Sequence, residues 1–92
     1  MITAIVLIHA ETARIPEVAE TVADLEGVSE VYSVAGDADL IAMVRVHRHE
    51  ELNEVIAGRL NKVDGIVDTS THIAFRAYSR HDLDAAFNIG LE

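Results

Sequence analysis

The spacing of apolar residues changes period several times along this chain, and each change marks an element. Residues 3–9 and 40–46 are nearly continuous apolar runs, the pattern of strands buried on both faces. Residues 28–34 and 66–78 are more mixed and read as strands with a polar side. Between them, Ile15, Val18, Ala19, Val22 and Leu25 recur at helical spacing, leaving Glu17, Glu20 and Asp24 for solvent. Pro16 suits the first turn of that helix, where its missing N–H is no loss, and Gly27 reads as its stop. A second helix over about 50–62 presents Leu52, Val55, Ile56 and Leu60 and ends before Gly65. Gly58 inside it costs roughly 1 kcal/mol relative to alanine and implies close packing.

The chain also repeats itself. At a shift of about 38 residues Ala4, Val6, Ile8 and His9 fall on Ala42, Val44, Val46 and His47. Val18, Val22, Leu25, Gly27 and Val28 fall on Ile56, Leu60, Val63, Gly65 and Ile66. Two copies of strand–helix–strand give β-α-β-β-α-β. This is the ferredoxin-like α+β arrangement: a four-stranded antiparallel sheet with two helices on one face. The first and third strands belong in the middle. Alternation turns Ala4, Val6, Ile8, Ala42, Val44 and Val46 towards the helices. Thr3, Ile5, Leu7, His9, Ile41, Met43, Arg45 and His47 then face the other way. Two helices cover only one face, so Ile5, Leu7, Ile41 and Met43 predict dimerisation sheet on sheet.

Composition narrows the function. Ninety-two residues make one domain with a modest core, and 50% apolar content is more than it can hide alone. A net charge of −9, with basic residues scattered from Arg14 to Arg80, argues against nucleic-acid binding. Without cysteine there is no disulfide framework, thiolate metal site or thiol nucleophile. The first residues enter a strand with no basic leader, and no apolar run is long enough for a membrane span. The expected setting is cytoplasmic.

Gly36, Asp37, Ala38 and Asp39 form a polar turn between the second and third strands. Glycine supplies backbone freedom there, and the carboxylates accept from N–H groups or an ammonium. The stretch from Gly27 to Leu40 (GVSEVYSVAGDADL) resembles the core signature of the RAM domain. That is the amino-acid-sensing effector domain of the Lrp/AsnC transcriptional regulators. Gly65 to Thr71 (GIVDTST) resembles the same family's last-strand pattern. The likeness covers residues 1–78, leaving 79–92 as a tail. Full-length regulators carry a helix-turn-helix domain before the first strand, whereas this strand begins at residue 2, as in a stand-alone member.

The resemblance implies a homodimer built through the sheets, often assembled into rings of dimers, with effectors held between dimers beside the turn. Carried over residue by residue, the ligand-binding set is Gly36, Asp37, Asp39, Thr69, Ser70 and Thr71. Asp37 or Asp39 would accept from an α-ammonium, and the Gly36 turn or the hydroxyls would receive the carboxylate. Where the family usually has an aromatic residue, this chain has Ala38.

Plainer readings stand beside these. The turn's aspartates bond local backbone in many proteins, and threonines favour strands anyway. His9, His47, His49, His72 and His81 include a His-x-His, but without a compact carboxylate cluster no metal site is expected. The repeat accounts for His9 and His47 as equivalent strand ends. Arg45, a charge on an apolar face, is expected to pair with an acidic residue across the dimer, or else to meet a ligand carboxylate. In the tail, Asp82 is placed to cap a short helix through Ala85, Ala86 and Phe87, with Phe87, Ile89 and Leu91 docking on a neighbour.

The expected function is therefore a regulatory domain, not an enzyme and without cofactor. It binds a small amino acid and influences transcription-related partners without touching DNA. One alternative is a structural partner that assembles with full-length Lrp/AsnC regulators and binds no ligand. A dimeric α+β barrel enzyme is another, but no nucleophile–base pair or cofactor motif supports it. An ACT-type module would want a glycine in the 9–14 loop, which has none.

Overall fold

The computed structural model describes residues 1–80. The chain runs β1 (Ile2–Ala10), α1 (Ile15–Ala23), β2 (Val28–Ser33), β3 (Leu40–Val46), α2 (His49–Ile56) and β4 (Ile66–Ala74). Short 3-10 turns at Thr12–Arg14 and Leu60–Lys62 precede α1 and follow α2. The four strands form one antiparallel sheet in the order β2-β3-β1-β4, which is the ferredoxin-like arrangement. The expected tail features, from His81 and Asp82 to Leu91, lie outside the described residues.

Alternation along the two central strands divides the sheet into unlike faces. β1 pairs with β3 from Ile2 opposite Val46 to Ile8 opposite Leu40. Ala4, Val6, Ile8, Leu40, Ala42 and Val44 are completely buried under the helices. They meet Val18 and Val22 of α1, Leu52 and Val55 of α2, and Leu60 in a single core. On the opposite face Ile5, Leu7, Ile41 and Met43 are only half-buried.

The repeat is visible in the backbone. The N–H of Leu25 donates to Val22 and that of Val28 to Leu25, both at 3.1 Å. In the second half Val63 donates to Leu60 at 3.1 Å and Ile66 to Val63 at 3.4 Å. Each turn contains a glycine with positive φ, +97° at Gly27 and +99° at Gly65. Each glycine lies against the opposite helix: a Cβ at Gly27 would fall 2.4 Å from Val55, and one at Gly65 would fall 2.7 Å from Val18. The two halves therefore grip each other through matching close approaches.

The element ends depart from the sequence reading in places. The first helix closes at Ala23 rather than at residue 25. The second stops at Ile56, because the backbone unwinds at Gly58, whose N–H reaches back to Asn53 at 3.2 Å. A Cβ at Gly58 would sit 2.5 Å from the Glu54 carbonyl oxygen, so the closeness is to the helix's own backbone. The last strand ends at Ala74, and beyond it Phe75 is fully exposed.

Gly27→Ala should destabilise the fold by about 2–4 kcal/mol, combining a disfavoured positive φ with the Val55 contact. Urea unfolding of Gly27→Ala, Val55→Ala and the double variant checks this. The double variant should lose less than the sum of the singles. Strict additivity would show that the contact is not the constraint.

Candidate functional site

β3 begins only at Leu40, yet the ladder it makes with β1 continues into the turn through Asp39. The Asp39 N–H donates to the Ile8 carbonyl at 2.9 Å, and its Oδ2 accepts from the Ala10 N–H at 3.0 Å. Its own carbonyl accepts from Val34 at 3.1 Å. Asp39 thus holds the end of β1 as a further strand residue would, with a side-chain oxygen replacing a backbone carbonyl. Gly36, at φ +139°, reverses the chain in a conformation that L residues rarely adopt. A Cβ there would meet nothing within 4 Å, so backbone conformation alone selects glycine. Ala38 is buried at 6% exposure, while Asp37 is exposed and its carboxylate has no hydrogen-bond or ion-pair partner among the described residues.

The two aspartates proposed together for one ligand are therefore not equivalent. Asp39 is committed to the backbone through one oxygen, and Asp37 is available.

The hydroxyls are also separated. Thr69 pairs with Ile8 and Thr71 with Val6, so both stand on the helix side. There the Thr69 hydroxyl donates to Asn61 Oδ1 at 2.9 Å. Ser70 pairs with Leu7 and stands on the open face. β1 separates all three from the turn, and two strand spacings amount to about 10 Å. Ser70 shares a face with His9, whereas Thr69 and Thr71 do not.

His9 is the residue that sequence reasoning passed over. Treated as one of two equivalent strand ends, it differs from the exposed His47 in having an acceptor at each ring nitrogen. Its Nδ1 lies 2.6 Å from Asp68 Oδ1 on β4, and its Nε2 lies 2.5 Å from the Asp37 carbonyl oxygen. The bond to Asp68 and then the bond to Asp37 raise its pKa above 6.5.

Arg45 pairs within its own chain rather than across a dimer. It donates to Glu30 Oε1 at 2.5 Å and to the Ser29 hydroxyl, both on β2. A register shift between Val28 and Glu30 accommodates the pairing. Arg45 holds the Glu30 carboxyl below its usual 4.5. That contribution is present above the usual carboxylate pKa and is lost as pH falls through the lowered value. Arg45 also borders a depression of about 430 Å³ on the open face, between Met1, Ile5, Met43 and Phe75. Ile5 and His9 are four residues apart along β1, about 13 Å, so the depression and the turn occupy opposite ends of the sheet. Among the described residues no group of three or more His, Cys, Asp or Glu is placed to hold a metal ion.

A family model, the Lrp/AsnC ligand binding domain, matches residues 3–83. The chain belongs to the Lrp/AsnC family. Among solved structures, this Lrp/AsnC domain is similar to a protein of Thermus thermophilus, with 45% identity and a TM-score of 0.81. The match covers 87% of this chain and 100% of that one. An uncharacterized HTH-type transcriptional regulator of Pyrococcus horikoshii is 33% identical over 72 residues, covering 78% of this chain and 48% of the relative. The chain spans about half the length, or less, of the curated relatives it matches. A Neisseria meningitidis transcriptional regulator, solved as an L-Met complex, shares the fold at a TM-score of 0.75 and 14% identity. That match covers 86% of this chain and 53% of the regulator. The Pyrococcus and Neisseria relatives are named transcriptional regulators, and the matching family model is that of a ligand binding domain.

Asp39→Ala should lower the unfolding free energy by about 1–2 kcal/mol, because the Ala10 N–H loses its acceptor. Asp39→Asn keeps an oxygen there and should cost less. Urea midpoints at constant m-value check both. An Asp39→Ala midpoint equal to wild type would remove Asp39 from the strand-end role.

Proposed function

We propose that this Lrp/AsnC domain is a regulatory module that binds a small α-amino acid at the 36–39 turn. It acts through assembly, without binding DNA itself. One observation carries the reading: Asp39 fixes the turn while the neighbouring Asp37 carboxylate is exposed and unpartnered among the described residues. An α-ammonium is a suitable partner for it, through a charge-assisted hydrogen bond. Backbone N–H groups of the turn are the donors for the ligand carboxylate, and Ser70, two strand spacings away, contributes only from a second copy. Thr69 and Thr71 contribute from the far side of the sheet only where a second copy brings ligand to them.

The half-exposed Ile5, Leu7, Ile41 and Met43 support dimerisation sheet on sheet. Rings of such dimers would place turns at the contacts between dimers. A ligand lodged there shifts assembly towards whichever state completes its site. The same exposed face, with the fully exposed Phe75, favours a second reading as an assembly partner of full-length Lrp/AsnC regulators. The net charge of −9 suits both readings and opposes direct contact with DNA.

A thermal-shift screen of the twenty amino acids, followed by size-exclusion light scattering, tests the proposal. A ligand at 100 times its Kd adds about 2.7 kcal/mol of stability. Asp37→Asn should weaken the best amino acid about tenfold or more, the scale of a charge-assisted bond, while leaving the oligomer unchanged. Equal affinity in that variant would remove Asp37. A stable oligomer with no amino-acid response would favour the second reading.

A further inference from the structure

We propose that His9 is a positioning residue for the 36–39 turn: donating from both ring nitrogens, it ties the Asp37 carbonyl to the Asp68 carboxylate on β4. The proposal rests on reading the turn as the ligand site, because what His9 holds is the backbone of Asp37 itself. The two bonds cross the end of β1 on the open face, joining the turn beyond β3 to the opposite edge strand.

The chemistry of the partners fixes the state of the ring. A carbonyl oxygen and an ionised carboxylate both accept and neither donates. Neutral imidazole has one N–H, so in that form one ring nitrogen would point a lone pair at an acceptor. Only imidazolium satisfies both bonds. The charged groups acting on the ring are Asp68 from β4 and Asp39 from the turn, and both favour the cation. The side chain is 44% exposed, so protons exchange freely with solvent.

The linkage has a definite sign. The folded pKa lies above the unfolded 6.5, so the clamp contributes fully below 6.5 and is lost as pH rises through the folded value. Above that value one bond is released, and the Asp37 carbonyl loses its connection to β4 or Asp68 loses its partner. The turn then relies on Gly36 and Asp39 alone. Because the Asp37 side chain faces solvent from the residue whose carbonyl is clamped, its position depends on the proton at His9.

Two-dimensional NMR of the ligand-free protein tests this from about pH 5.5 to about pH 8.5, a range in which free carboxylates do not titrate. The His9 ring should titrate with a midpoint above 6.5. The backbone amides of Asp37 and Ala38 should shift with the same midpoint. Asp68→Asn should move both midpoints down together, and His9→Gln should leave the turn amides flat over the range. The proposal is overturned if His9 titrates without moving the turn amides, if its midpoint lies at or below 6.5, or if Asp68→Asn leaves it unmoved. With no ligand in the tube, these outcomes are independent of whether any amino acid binds.

Discussion

Everything in this domain depends on two antiparallel strands whose alternate side chains are sealed under a pair of helices. Ala4, Val6 and Ile8 of β1 and Leu40, Ala42 and Val44 of β3 leave no exposed surface. Burying a valine, leucine or isoleucine side chain stabilises a fold by about 1.5–3 kcal/mol, and the four of them here occupy one contiguous patch with the two alanines. A register slip by a single residue would turn that patch to solvent, so the central pairing is fixed. The reciprocal glycine contacts then lock each helix to the other half of the chain. What this arrangement cannot do is cover the second face, which stays open with Ile5, Leu7, Ile41 and Met43 half-buried on it.

The ends of β1 differ accordingly. At one end the open face holds an apolar depression bordered by Arg45, which is already paired with Glu30. At the other, β3 has not yet begun; Asp39 meets the Ile8 carbonyl and the Ala10 N–H, and His9 joins the Asp37 carbonyl to Asp68. The second end supplies an exposed carboxylate, unpartnered among the described residues, on a turn held by Asp39 and His9, which is the more suitable recognition element for a zwitterion.

Much of the architecture was legible in the sequence, because hydrophobic period is a direct consequence of burial. The continuous apolar runs marked β1 and β3 as central, and the internal repeat gave the strand order and the facing of each residue. The polar site was legible only as a location. That Asp39 serves the backbone while Asp37 is available depends on where β3 starts relative to β1, a matter of one residue. That Ser70 is separated from Thr69 and Thr71 follows from strand alternation once the register is known. His9 was obscured by the repeat itself, since likeness to His47 explained its presence and hid its bonds to Asp68 and to the Asp37 carbonyl. Arg45 found its partner on the adjacent strand because a local register shift at Ser29 brought Glu30 alongside, and no periodicity encodes such a bulge.

The most direct test of the account is the map of amide shifts produced by the amino acid that stabilises the protein most. Perturbations centred on residues 36–39 are the predicted result. Perturbations centred instead on Met1, Met43 and Phe75, at the far end of the sheet, would contradict it.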